Sequence, residues 1–292
     1  MSDENQIMQN PHLKVCISSV GAEIQSVIKG GREYIWNGDP CYWERRAPIL
    51  FPVVGRIKNK TYTHDRKEYF MDQHGFARDM PFSCIAHSHG EALYRLSYNR
   101  ETLRVYPFRF HLDVSYRLVN SSIQITWEVS HEDRFPMYFS LGYHPAFRKP
   151  TEPENCSGGC YIDFRTDNPL RYQKINSANL VESTYFDLKT DHGVLKITPE
   201  LFDEDVLIIH AGSITCVRLL TPDKAPYLAV ESEAPLWGIW SPVKKNAPFL
   251  CIEPWYGCND PADIKGDLKD RPWIQTLNPG QRFSAICKIS FF

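Results

Sequence analysis

The 292-residue chain reads as an all-β protein, a large and mostly antiparallel sandwich. Three observations predict this. Several short segments alternate apolar and polar residues with a period of two. Aromatic residues are abundant, with 16 Phe, 15 Tyr and 7 Trp, and 21 prolines and 16 glycines punctuate the chain at turn-like intervals. No stretch carries a long helical pattern.

The alternating segments follow one another along the chain. "HLKVCIS" (12–18) is the first. In "FHLDVSYRLV" (110–119), Leu112, Val114, Tyr116 and Leu118 share one face. In "SSIQITWEVS" (121–130), Ile123, Ile125, Trp127 and Val129 do the same, and the polar "NSS" at 120–122 predicts a hairpin. "ITCVRLL" (214–220), "YLAVESE" (227–233) and "SAICKISFF" (284–292) complete the set. Alternation implies one face on a core and the other toward water or a second sheet. Pro107 interrupts "RETLRVYPF" (100–108), and "SANLVESTYFDL" (177–188) has room for a turn or two of helix. The Pro- and Gly-bearing stretch "RKPTEPENCSGGC" (148–160) reads as a long loop, because the pattern on both sides is the same. Residues 1–292 are therefore expected to form a single domain.

Composition narrows the function. The formal net charge is −2 and the cations are scattered, so no field favours nucleic acid or an anionic membrane. No apolar run reaches the about 18 residues of a membrane span. The acidic, polar start "MSDENQIMQNPHLKV" does not resemble a signal peptide, so a cytoplasmic location is expected. Nine irregularly spaced cysteines without a C-x-x-C read as reduced thiols rather than a disulfide frame or zinc site.

Four stretches join titratable groups to rigid neighbours: "PVVGRIKNK" (52–60), "DQHGFARD" (72–79), "FSLGYHPAF" (139–147) and "CIEPWYG" (251–257). In the last, Pro254 is expected to end a strand and hold Glu253 at its rim. Trp255 beside it can stack on a sugar ring and, by partial burial, raise the carboxyl pKa toward that of a general base. In the third, Pro145 restricts the backbone of His144, whose imidazole titrates near neutrality. Taken alone, the His144 motif favours a core histidine, and Glu253 reads equally as a surface carboxylate. His74, Arg78, Arg56, Asn59 and Lys60 offer hydrogen-bond donors near glycines, and each by itself reads equally as turn chemistry.

"PVVGRIKN", "HGFARD", "YFSLGYHPAF" and "APFLCIEPWYG", in this order, resemble the aldose 1-epimerase (galactose mutarotase-like) superfamily, in particular its LacX-type branch. "GAEIQSVIKGGREYIWNGDPCYW" (21–43) and "TLNPGQRFSAICKI" (276–289) fit the same branch, so the resemblance covers nearly the whole chain. It implies a single-domain β-supersandwich with an open sugar cleft, acting on a hexose without metal or cofactor, as a monomer or weak homodimer. It also implies Glu253 as general base, His144 as general acid, and His74 assisting at the ring oxygen. A sugar-binding aspartate falls in "LFDEDVLII" (201–209), at Asp205 with Asp203 as the fallback. The sequence departs from galactose mutarotases at Asn59-Lys60, where they carry Asn-Arg. Lysine lacks the planar fork of donors, which leaves the hydroxyl pattern of the sugar open. Arg56, Lys60 and Arg78 could instead hold the phosphate of a phosphosugar, as in glucose-6-phosphate 1-epimerases. A carbohydrate-binding protein without turnover is the remaining alternative. A glycosidase would need two carboxylates flanking a scissile bond, and only Glu253 and Asp205 offer themselves.

Overall fold

A computed structural model describes residues 5–150 and 159–292, so the expected loop at 148–160 lies for the most part outside the described residues. Strands dominate, and every strand ladder is antiparallel. The largest sheet has nine strands. In spatial order they are Val194–Ile197, Cys160–Asp163, Cys216–Leu220, Pro226–Ser232, Phe283–Phe291, Ser122–His131, Phe110–Val119, Glu91–Ser97 and Ser83–His87. The second large sheet has eight. Its path runs Phe186–Leu188, Leu170–Gln173, Leu207–His210, Leu236–Trp240, Phe249–Tyr256, Leu141–Tyr143 and Ile49–Leu50, with Ala146–Arg148 also paired to Phe249–Tyr256.

Each alternating segment of the sequence is a strand. The predicted hairpin forms with Val119 opposite Ser122, and Asn120 takes the left-handed φ of 52° that a tight turn requires. Leu112, Val114, Tyr116, Ile123, Ile125, Trp127 and Val129 are buried as the alternation predicts, while Leu118 is only half-buried beside the turn. The one short α-helix among the described residues, Thr102–Val105, stops two residues before Pro107. No helix forms in 177–188. Asn176 instead caps a turn, its side chain accepting from the N–H groups of Ala178 and Leu180, and a strand follows at Phe186–Leu188. Asparagine competing for backbone donors in this way is why the residue favours turns over helix. No helix among the described residues is long and apolar enough to cross a membrane.

The two large sheets face each other across one apolar core. Trp127 of the nine-stranded sheet meets Tyr143 of the eight-stranded sheet with ring centroids 5.5 Å apart. Along Phe249–Tyr256, Leu250 and Ile252 point into this core, while Phe249, Cys251 and Trp255 join separate apolar clusters on the far face. Glu253 lies on that far face by the period of two. The eight-stranded sheet is therefore covered on both sides, and its outer face carries the candidate site.

Candidate active site

Strand register brings the two principal residues together. Gly142 pairs with Trp255 and Ala146 pairs with Cys251, so continuing the register sets His144 opposite Glu253. The ladder is interrupted between these pairs, where Pro145 and Pro254 lack N–H donors. Pro254 does not end its strand: it sits inside Phe249–Tyr256, opposite Trp237 of the neighbouring strand. Freed from the ladder, the His144 N–H donates instead to the Pro48 carbonyl at 3.0 Å. Directly opposed side chains on one face come within contact distance, and His144 Nε2 lies 3.3 Å from Glu253 Oε2. The implied base and acid are thus in direct contact.

Neighbours lock the pair in place. Trp255 Nε1 donates to Glu253 Oε2 at 3.1 Å. The Trp255 ring lies against Gly238, where a Cβ would come within 2.8 Å of it, so only glycine leaves room for this indole beside the carboxyl. Trp43 stacks on His144 at 4.7 Å between centroids, and Trp240 meets it edge-on at 5.5 Å. Glu253 is wholly buried rather than held at a strand rim. Burial pushes its pKa well above the carboxylate range, with the nearby charge of Asp205 adding to the rise. Burial pulls His144 down to about 3. Both shifts have the same cause, the cost of holding charge away from water, and both favour a neutral carboxyl beside a neutral imidazole.

His74 completes the centre, its ring edge-on to His144 at 5.7 Å. The Gly55 N–H donates to His74 Nδ1 at 3.1 Å, which assigns the ring proton to Nε2. Burial and the neighbouring His144 hold its pKa well below the ordinary histidine value, so the ring is neutral. Gln73 Nε2 stands 3.3 Å from His74 Nε2, while the Gln73 Oε1 already accepts from Arg56. Two donors thus face each other, and the His74 N–H is left for a ligand. Gly55 has a φ of +72°, and a Cβ there would stand 2.1 Å from Asn259 Oδ1, so the donor that fixes His74 depends on a glycine.

These groups open on a cavity of about 310 Å³. Of the residues singled out from the sequence, Glu253, His144, His74, Asp205, Arg78 and Trp255 line it. Asp205 lies in the turn before Leu207–His210 rather than on a strand, with a φ of 72° and its Oδ1 accepting from the Val206 N–H. Burial raises its pKa. Asp203 is exposed and does not line the cavity. Arg78 is held by a bond from Nη2 to the Gln73 carbonyl at 2.7 Å. Arg56, Asn59 and Lys60 do not line the cavity. Arg56 stands behind the wall, bonded to Gln73. Asn59 and Lys60 both take left-handed φ values, 56° and 58°, which turn them to solvent, where Lys60 pairs with Asp72 at 3.0 Å. The lining also includes Trp43, Gln73, Asn179, Trp240 and Asn259, which sequence reasoning missed. Trp43 and Asn259 lay within or next to quoted motifs, but no periodicity marked them.

Residues 5–290 match the aldose 1-epimerase family, and the chain belongs to it. Among curated proteins, it is 27% identical to the plasmid-encoded Protein LacX of Lactococcus lactis, over 93% of this chain and 94% of that protein. A galactose mutarotase related enzyme from Lactobacillus acidophilus superposes with a TM-score of 0.94 at 34% identity, covering 99% of this chain and 97% of the other. A galactose mutarotase-like protein from Lactobacillus casei gives 0.93 at 29%, covering 99% and 100%.

Proposed function

We propose that this protein is an aldose 1-epimerase that interconverts the α and β anomers of a hexose, with Glu253 and His144 as its proton-transfer pair. The observation that carries the reading is the 3.3 Å contact between these two groups beside a cavity with sugar-binding chemistry. The pair holds one proton in either of two forms. Facing the closed ring, the active form is carboxylate and imidazolium. The carboxylate takes the proton from the O1 hydroxyl, the C1–O5 bond breaks as C1=O1 forms, and the imidazolium protonates O5. The products are an open-chain aldehyde, a neutral carboxyl and a neutral imidazole. That is the form burial favours, so the site's resting protonation matches the intermediate. Rotation about C1–C2 and the reverse transfers close the ring on the other face. The His74 N–H donates to the ring oxygen. Asp205 accepts from a sugar hydroxyl, Arg78 donates to one, and Trp255 and Trp43 wall the ring. A core drawing on residues from Met8 to Phe291 supports reading 1–292 as one such unit.

A phosphosugar is the second reading, and Arg78 favours it. Arg78 lines the cavity, and Arg45 and Arg56 lie near enough for their charge to depress His74. Polarimetry on freshly dissolved α-glucose, α-galactose and glucose 6-phosphate tests these readings. Acceleration over buffer is expected on at least one sugar, and the preferred sugar separates the two substrates. Binding of a sugar without acceleration of any would replace the enzyme with a carbohydrate-binding protein.

A further inference from the structure

Cys251 has no part in the proposed reaction, yet it stands two residues before Glu253 on the same strand and the same face. One ligand atom each from Cys251, His144 and Glu253 lies within 4.8 Å of the others, and all three residues are buried. On the same two side chains, Glu253 Oε1 and His144 Nδ1 are buried without a hydrogen-bond partner among the described residues. A thiol, an imidazole and a carboxyl thus converge with bonding capacity to spare.

We propose that Cys251, His144 and Glu253 form a three-ligand site for Zn²⁺ or a cation of like chemistry, whose occupation blocks the proton-transfer pair. The donor set is the argument for the metal's class. Ca²⁺ and Mg²⁺ seek six or more oxygen ligands, whereas sulfur, nitrogen and one carboxylate suit zinc. Metal–ligand distances of about 2.0–2.3 Å in a tetrahedron put neighbouring donor atoms roughly 3.3–3.6 Å apart. The His144–Glu253 separation of 3.3 Å already fits, and Cys251, whose sulfur lies within 4.8 Å of both, supplies the third donor. The fourth position faces the cavity, open to water or a sugar hydroxyl. Binding displaces two protons, one from the thiol and one from the carboxyl–imidazole pair. The resulting thiolate and carboxylate cancel the metal's two charges, as a buried site requires. The blocking half of this inference rests on the proposed function; the binding half does not.

The test is Co²⁺ titration of the full chain, followed by absorption, and Zn²⁺ titration of its anomerisation rate, each on wild type and Cys251→Ala. Wild type should develop thiolate-to-cobalt charge-transfer absorption that the variant lacks. Loss of outer-shell partners alone costs about 10–100-fold in metal affinity, so loss of a ligand should cost at least about tenfold. Zn²⁺ should slow wild type, with chelation restoring the rate, while the variant turns over normally and needs at least about tenfold more Zn²⁺ for the same inhibition. The exposed Cys41 and Cys84 remain in both proteins, so the difference reports Cys251. No thiolate band in wild type, or equal cobalt binding by both, overturns the site. If Cys251→Ala folds poorly, Cys251→Ser keeps the volume and must likewise lose the band. A band in a protein that anomerises no sugar would support the metal site and count against the proposed activity.

Discussion

Two strands of this molecule alternate side chains with the same period and do different work. Ser122–His131 alternates between the core and a partly exposed outer face. Phe249–Tyr256 is buried on both faces along seven of its eight residues. Its inner face, Leu250 and Ile252, belongs to the same core that Ile125 and Trp127 fill from the opposite sheet. Its outer face carries Glu253 and Trp255 against the cavity, with Cys251 buried beside them in an apolar cluster. The first strand supplies stability through apolar area. The second keeps a titratable group away from water, which costs stability and shifts its pKa. A substitution in each should therefore separate stability from chemistry.

The largest expected effect on stability lies in the first strand. Trp127→Ala should cost about 3–5 kcal/mol in denaturant unfolding, because it empties a fully buried indole site against Tyr143. The folded fraction should still anomerise sugar at the normal rate. Gly55→Ala comes next. A residue other than glycine in the left-handed region costs about 1–3 kcal/mol, and here the methyl also meets Asn259. Loss of stability should come with a raised KM, since the N–H that orients His74 moves.

The buried pair gives a smaller effect with a distinctive sign. Between pH 4.5 and 6.5 the unfolded chain carries an ionised Glu253 and a protonated His144, while the folded form carries a protonated Glu253 and a neutral His144. Each state then binds one proton, so the pair adds no pH dependence in that window. Above it the folded state holds the extra proton, and stability falls as pH rises through the raised Glu253 pKa. Below it the unfolded state holds the extra proton, and stability falls as pH drops toward the His144 value of about 3. Each flank should slope by about 1.4 kcal/mol per pH unit. Unfolding curves across pH would check this: Glu253→Gln should lose the alkaline flank and begin falling below pH 6.5, and His144→Asn should lose the acid flank. The smallest effect belongs to the outer face of the first strand, where Thr126→Val should change stability by no more than about 0.5 kcal/mol.

The contrast between the strands also governs what could be read from the sequence. The hairpin at 110–131 was legible because one polar face leaves a two-residue rhythm. "FLCIEPWY" has no such rhythm, and its proline pointed to a strand end. In the fold, proline is tolerated there because the ladder breaks opposite it, and that break depends on a second proline far away in sequence. Glu253, His144, His74, Asp205, Arg78 and Trp255 were legible as residue types in motifs, and all six reach the cavity. Asn59 and Lys60 were singled out in the same way but do not reach it, because two consecutive left-handed residues turn them outward, and no residue type announces that. Trp43 was missed for a related reason: it sits in an irregular segment and reaches His144 only through the tertiary fold. The 3.3 Å contact follows from cross-strand register, which a single strand does not carry.

The central claim is that Glu253 and His144 exchange one proton with a sugar's O1 and O5. Magnetisation-exchange NMR between the two anomeric proton signals of an equilibrated hexose measures that interconversion directly. Wild type should transfer magnetisation between the anomers far faster than buffer. Glu253→Gln and His144→Asn, folded as judged by circular dichroism, should each lose about 10²–10⁴-fold of that rate. Either variant exchanging the anomers at the wild-type rate would contradict the account.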